Sequence, residues 1–454
     1  RLSKGKTMEP IQKTTALIFV VTIALIITRK INTVGFSLLG VVAMVVAGSM
    51  TEVEAFGFVD WNVLIILVSV WFLAGYFGKT GIPEYLGDLS LRLSGGNIPL
   101  FVTLAGLLAG FVSMFIDNVV VVLMLAPVIV SIRKIYGFKA TGPILFLGLC
   151  ANFMGTALLL GDLPPQMLHS VTGIEFLGFI WHSGRPSSFL ILTATYLIVC
   201  FLFYLGFRRS ELSRCVPAGG AAQEDVGPKE SRIKDKRYAF LVCAVFALTV
   251  LGMAFRQYLG VKLGFIAFVG SLLLVFVIEI LRGPLRMDAP DVEFILSEIE
   301  WNAITFYAAL FALVGGLEHT GVLTLVGNWF IPFLQKGLLV GTSVIYWATA
   351  PIVGFVEHDA YILTLLYVVR DLGQTQGIQV WPYYWAIVWA GTLGSNLTIA
   401  GAPALYVALT IGEKEDGEKF SLRRFFSYTV PFVLASLGFC YLFMVLVWVL
   451  PFMR

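Results

Sequence analysis

Long apolar stretches recur along the whole chain at roughly the length that crosses a lipid bilayer. A bilayer-spanning helix needs about 20 mostly apolar residues. Stretches near that length lie at 14–28, 36–48, 62–78, 144–160 and 189–207, and again at 238–255, 263–280, 302–317, 383–401 and 428–452. Two further runs, 99–132 and 338–369, are too long for one span. Each is interrupted midway by ionisable residues, Asp117-Asn118 in the first and Glu357-His358-Asp359 in the second. This pattern predicts an all-α polytopic membrane protein with about ten transmembrane helices plus two re-entrant helical hairpins. Composition agrees: 58% of the 454 residues are hydrophobic and 13% charged, against roughly 25% charged in soluble domains. The net charge of +3 is diffuse and makes no field for phosphates. The five cysteines lie far apart, with no CxxC and hence no disulfide frame or zinc signature. An ordinary cytosolic enzyme, a disordered chain and a nucleic-acid binder are excluded.

The apolar run near the N-terminus lacks a small-residue cleavage site and is followed almost at once by Arg29-Lys30, so it reads as a retained span rather than a signal peptide. One segment, 208–237, has the Gly, Pro and charge content of a soluble linker. Placing it in the cytoplasm puts Lys and Arg on the inner side over the outer by about two to one, with Arg133, Lys134, Arg282, Arg423 and Arg424 among them. Both termini are then expected outside, and the plasma (inner) membrane is the expected location.

An internal repeat runs at a constant offset of 240 residues. Asp60-Trp61-Asn62 recurs as Glu300-Trp301-Asn302, Gly75 as Gly315, Thr80-Gly81 as Thr320-Gly321, and Gly87 as Gly327. Asp117-Asn118 falls on Glu357-His358, and Gly161 on Gly401. Five crossings separate equivalent points, an odd number, so the two halves are inverted relative to each other. The expected units are a first repeat at 9–207 (hairpin 99–132, broken helix 144–165), the linker at 208–237, and a second repeat at 238–452 (hairpin 338–369, broken helix 383–403). Inverted repeats with interrupted helices are the architecture of secondary transporters, with the site near midplane between the repeats.

Charges at membrane depth are costly and mark function. The first repeat carries Asp117 and Asn118, then Asn152, Gly155 and Thr156 running to Asp162. The second carries Glu357, His358 and Asp359, then Ser395, Asn396 and Thr398. Gly, Thr and Pro break a helix in mid-membrane, and the freed amides and carbonyls can bind ions or polar solutes where they line a wet cavity. These twelve residues are the candidate substrate- and ion-binding set, and Asn118, Thr156, Asn396 and Thr398 are expected to line one midplane cavity. No catalytic constellation and no metal site is read from the chain, and no organic cofactor is expected. Lys79 and His319, equivalent across the repeat, are expected to snorkel to the interface.

At these motifs the sequence resembles the ion transporter superfamily, and within it the arsenite permease and P-protein branch. Phe115-Ile116-Asp117-Asn118-Val119 with Leu123-Met124-Leu125-Ala126-Pro127 resembles that branch's F-x-D-N hairpin. The segment from Gly155 to Pro164 resembles its GGTATLIGDPPN break, and that from Leu393 to Ala402 its LGGNGTLIGASAN break. Departures stand at Glu357-His358 where a second Asp-Asn is usual, at Gln166 where Asn is usual, and at Pro403. Dicarboxylate carriers of the superfamily resemble one another in Ser-Asn-Thr at both hairpin tips, which this chain lacks. The resemblance implies alternating access, with hairpins and broken helices moving past a scaffold. A proton, or sodium, is the coupling ion it suggests. The leading expectation is proton-coupled efflux of arsenite or antimonite, because acids suit a proton relay and hydroxyls and amides suit a neutral polyol-like solute. A sodium/proton antiporter and an organic-anion (citrate- or dicarboxylate-like) carrier are the alternatives. The expected partners are a small inorganic solute or ion and the lipid bilayer; a homodimer is left open, and a partner ATPase belongs to the arsenite-permease reading alone.

Overall fold

The computed structural model describes residues 9–27, 33–214, 233, 235–285, 287–299, 301–322, 325, 332–333, 336–354, 358–399 and 401–453. Glu357, Glu300, Gly327, Arg29, Lys30 and most of the 208–237 linker lie outside them. The described chain is almost entirely helical. It runs α1 (Pro10–Ile27), α2 (Thr33–Val46), α3 (Glu52–Gly57), α4 (Trp61–Gly78), α5 (Ile82–Leu93), α6 (Ile98–Ser113), α7 (Asn118–Tyr136), α8 (Thr141–Gly155) and α9 (Leu163–Thr172). A two-residue antiparallel ribbon, β1 (Trp181–His182) and β2 (Arg185–Pro186), precedes α10 (Ser188–Arg209). Then follow α11 (Lys236–Ala254), α12 (Arg256–Leu259), α13 (Leu263–Leu285), α14 (Val292–Glu298) and α15 (Trp301–His319). The last group is α16 (Leu338–Val353), α17 (His358–Gln376), α18 (Trp381–Ser395), α19 (Pro403–Asp416) and α20 (Leu422–Met444).

Seven of these are at least 18 residues long and apolar enough to cross a membrane: α4, α7, α10, α11, α13, α15 and α20 with its continuation to Phe452. Helices α1 and α2 are shorter apolar helices, and the pairs α8–α9 and α18–α19 each cross as two halves. Helix α7 is long enough to span, yet it starts at a hairpin tip. Helix α5 packs on both α6 and α7 at the open end of that hairpin, so the two arms leave and return on one side. The architecture is the expected polytopic helical one with two re-entrant hairpins. Large apolar side chains such as Leu17, Phe240, Phe276 and Leu434 stay exposed on the outer helices. An aqueous protein would hide such a surface, and lipid accepts it.

Local chemistry explains where the helices begin and end. Asp60 caps α4 by accepting from the Asn62 and Val63 amides, and Thr51 and Glu54 form a reciprocal capping box on α3. Gly81 and Gly321 both adopt positive φ (77° and 74°) just after α4 and α15, a conformation that costs any other residue.

The repeat is visible contact by contact. The indoles of Trp61 and Trp301 donate to the carbonyls of Phe56 (3.3 Å) and Leu296 (3.1 Å), five residues back in each case. Lys79 pairs with Glu298 (2.7 Å) and its equivalent His319 with Glu54 (3.8 Å). Gly40 gives Thr22 room to pack, as Gly270 does for Thr249, which relates the pair α1–α2 to α11–α13. The units interlock, since α2 packs on α15 and α13 on α4.

Long-range ion pairs join helix ends on the same face. Lys79–Glu298, Lys139–Glu418 (2.6 Å) and Arg133–Asp416 (3.1 Å) lie on the face where α10 ends and α11 begins, called here the linker face. Arg256–Glu175, Arg370–Glu318 and His319–Glu54 lie on the opposite face.

Two boundaries differ from those read in the sequence. The first broken helix continues past 165 to Thr172, and the second continues past 403 as α19 to Asp416. Glu413, Lys414 and Glu415 occupy the last turns of this half-helix. Helices α3, α5, α12 and α14 were not foreseen, being too short to leave a hydropathy signal.

Glycines at the two breaks allow backbone to touch backbone. A Cβ on Gly161 would collide with the carbonyl oxygens of Ser113 and Gly155, and one on Gly401 with those of Val353 and Ser395, at the same offset throughout. Gly161→Ala or Gly401→Ala should therefore cost about 1–3 kcal/mol, the usual penalty of overpacking. Thermal unfolding in detergent measures it, with Gly206→Ala as the control because nothing lies within 4 Å there.

Candidate functional site

The tip of the first hairpin is set by Asp117, whose Oδ1 accepts from the amides of Val119 (2.9 Å) and Val120 (3.3 Å) and so caps α7. This turns the next side chain, Asn118, toward α8. Its Nδ2 donates to Asn152 Oδ1 at 2.8 Å and reaches Asp162 Oδ2 at 3.4 Å. Asp162 caps the second half-helix, accepting from the Leu163 amide at 2.9 Å. A Cβ on Gly155 would fall 3.1 Å from Asp162 Cβ, so the break closes on itself there.

Asn152 joins the two repeats. Its Nδ2 donates to Ser395 Oγ (3.0 Å) and Asn396 Oδ1 (3.1 Å) of the second break while its Oδ1 holds Asn118. Beside it Thr156 and Thr392 share a hydrogen bond of 2.6 Å. Ser188 donates to the Thr156 carbonyl and accepts from the Trp389 indole, both at 2.9 Å. In the second repeat Thr398 donates to the Gly354 carbonyl at the hairpin tip (2.5 Å), and His358 Nε2 lies 3.3 Å from Asp359 Oδ1. His358 and Asp359 are buried, and both lie within electrostatic reach of Asp162, as does Asp117. Tyr307 on α15 lies within interaction range of Asp359.

The sequence-predicted residues fall into two groups. Asn118, Asn152, Thr156, Ser395, Asn396 and Thr398 are buried and bonded to one another or to backbone, and form a polar wall. The cavity, of about 430 Å³, runs from Asp117 to the linker face between α4, α7 and α14. Trp71, Gly75, Met124 and Ile295 line it, and Lys79 and Glu298 stand at its mouth. A small chamber of about 10 Å³ adjoins it at Asp117 and Trp71 and is lined also by Asp162, Gly161, Gln166 and Tyr307. Asp117 belongs to both spaces. Trp71, Gln166 and Tyr307 were not read as site residues; Gln166, one helical turn after Asp162, carried a signal in the sequence, and Tyr307 carried none. Cys150 is fully buried beside Cys200, away from both spaces. No cluster of three or more His, Cys, Asp or Glu that could hold a metal occurs among the described residues.

The opposite face is closed over Asp117. Ser170 on α9 donates to Asp60 Oδ2 (2.5 Å), and Arg256 pairs with Glu175, so α9 and the segment after it are tied to the start of α4 and to α12. A separate cavity of about 430 Å³, lined by Asp60, Asn62, Ser170, Glu175, Arg256 and Lys262, lies outside this closure.

A protein-family model described as "Citrate transporter" matches residues 23–390. The chain belongs to that family. As a citrate transporter family member it falls within the ion transporter superfamily that its motifs resemble. It is 26% identical over 403 residues to an uncharacterized transporter of Mycobacterium tuberculosis, covering 87% of this chain and 90% of that one. It is 24% identical to the human P protein, covering 92% of this chain and 57% of the relative. Among solved structures, the YdaH transporter of Alcanivorax borkumensis aligns with a TM-score of 0.57 at 14% identity, covering 96% and 98% of the two chains. MtrF of Neisseria gonorrhoeae aligns at 0.59 and 12% identity, covering 98% and 96%. At these identities the two structures show a shared fold.

Asn152→Ala should leave Asn118, Ser395 and Asn396 each short of a partner. Stranded buried polar groups cost about 1–3 kcal/mol each, so the melting temperature should fall clearly. A variant that melts as the wild type does would show that Asn152 is not the bond between the repeats.

Proposed function

We propose that this citrate transporter family member is a secondary active transporter that carries a small oxyacid across the membrane by alternating access, with Asp117, Asp162 and Asp359 loading the coupling proton. The observation that carries the reading is the double membership of Asp117. It ends a cavity that reaches one face and borders a chamber lined also by Asp162, which lies within electrostatic reach of Asp359 in the second repeat. A carboxylate so placed can load from one side and, once the surrounding elements shift, release to the other. The hairpins, broken helices, α10 and α20 are the moving body, and α1–α4 with α11–α15 the scaffold. They meet chiefly where α4 packs on α9 and α15 on α17.

The solute enters in a low charge state. The groups facing the chamber are acids, an amide and a phenol, and a dianion would be repelled. A cavity of about 430 Å³ suits a small polyatomic solute and is far larger than a monatomic ion needs, which counts against the sodium/proton antiporter. Two solutes meet these terms. The family's description favours a citrate-like acid taken up in protonated form, while the acid-rich midplane favours neutral arsenous or antimonous acid and hence efflux. Charge bias between the faces supports a cytoplasmic linker face, outer termini and a plasma-membrane location.

Proteoliposomes loaded with labelled citrate or arsenite under an imposed pH gradient test this. Wild-type protein should move one of them with proton movement, and Asp117→Asn, which keeps size but removes the charge cycle, should abolish the coupled flux while remaining folded. Wild-type pH-driven flux by Asp117→Asn would sink the assignment. Joining Asp60→Cys to Ser170→Cys with a short bifunctional thiol reagent should stop transport and leave the linker-face cavity reachable by label. Undiminished transport by the cross-linked protein would show that this contact does not open during the cycle.

A further inference from the structure

Gln166 is a polar side chain of which the midplane network uses neither amide atom. It is fully buried on α9, and it lines the small chamber with Asp117, Asp162 and Tyr307. Neither its Oε1 nor its Nε2 has a hydrogen-bond partner. Its neighbours differ: Asn118 is bonded to Asn152, which is bonded in turn to the second repeat, and Asp162 caps a helix. A buried amide with both ends unmade destabilises the fold, and such a residue persists where function requires it.

The chemistry of the amide restricts what can satisfy it. Oε1 accepts and Nε2 donates. A bare cation could meet Oε1 but would face the Nε2 protons. A group carrying an acceptor oxygen and an O–H donor side by side meets both, and the adjoining Asp117 and Asp162 carboxylates can take further O–H donors. The chamber has room for about one water-sized group, and it adjoins the linker-face cavity at Asp117 and Trp71. A solute seated in that cavity can therefore place one hydroxyl or protonated carboxyl in the chamber while its bulk stays outside.

We propose that Gln166 is a solute-recognition residue, hydrogen-bonding through both amide atoms to one hydroxyl or protonated carboxyl group of a polyatomic oxyacid held in the linker-face cavity. The assignment rests on reading that cavity as the transport site, and it deepens the reading by making the cargo an O–H-bearing acid rather than a monatomic ion. A structural glutamine and a recognition glutamine respond differently to Gln166→Leu. The leucine is close in volume and removes two orphaned polar atoms, so the variant should melt at or above the wild-type temperature. Its KM for labelled citrate or arsenite in proteoliposomes should rise about tenfold or more, with kcat and the shape of the pH profile held. Gln166→Glu, which loses the donor and gains an acid, should bind the solute progressively worse as pH rises.

Wild-type KM in Gln166→Leu for the transported solute would overturn the assignment and leave the chamber a water site. A lowered melting temperature with wild-type KM in the surviving protein would assign Gln166 to structure alone and overturn it as well. A wild-type protein that moves neither oxyacid but exchanges labelled sodium, or whose flux survives Asp117→Asn, overturns the transport reading itself and the assignment with it.

Discussion

A helix interrupted in mid-membrane frees amides and carbonyls where no bulk water reaches them, and each must find a partner inside the protein. The polar side chains beside the two breaks face each other. Asn152 of the first break donates to Ser395 and Asn396 of the second, and Thr156 pairs with Thr392. The hairpin tips close what remains, Asn118 onto Asn152 and Gly354 onto Thr398. Neither break is satisfied without the other repeat, so the two halves cannot be separated without stranding polar groups. The glycines at 161 and 401 follow from the same constraint, because the tip backbones must approach the break backbones closely enough for these bonds to form.

Those bonds tie the hairpins and broken helices together, and their contact with α1–α4 and α11–α15 is comparatively thin. The scaffold is held by its own exchanged packing, α2 on α15 and α13 on α4, and by ion pairs such as Lys79–Glu298 that stay within it. Contacts between the two bodies are of a different kind. Asp60–Ser170 and Arg256–Glu175 are polar, lie near the surface of the opposite face and join partly exposed groups. Exposed pairs of this sort contribute little net stability. The cavity that ends at Asp117 reaches the linker face.

The citrate transporter family and the superfamily fold are consistent with the motif resemblance read from the hairpin and the breaks. Those motifs consist mainly of residues that hold the breaks together, which is why they identify the architecture well and the solute poorly. The residues that meet the cavity, Trp71, Met124, Ile295, Gln166 and Tyr307, come from five different helices and share no local pattern. Asp117 was legible because an acid in a long apolar run is expensive wherever it points. Tyr307 was not, because a tyrosine in an apolar helix is ordinary until a carboxylate is placed beside it.

Hydropathy, the 240-residue offset and the two polar interruptions determined the number of crossings, the inversion of the halves and the places where helices break. These are local consequences of chain chemistry in lipid: apolar runs span, and Gly, Pro and acids interrupt them. Tertiary structure decided which polar residues serve the wall and which meet the cavity. Asn118 and Thr156 have the chemistry of binding residues, yet Asn118 is bonded to Asn152 within its own repeat and Thr156 to Thr392 across the repeats. Gln166 has the same chemistry and retains both its bonding atoms. The difference lies in which neighbours the folded chain brings within hydrogen-bond distance, and those neighbours come from helices far apart in sequence.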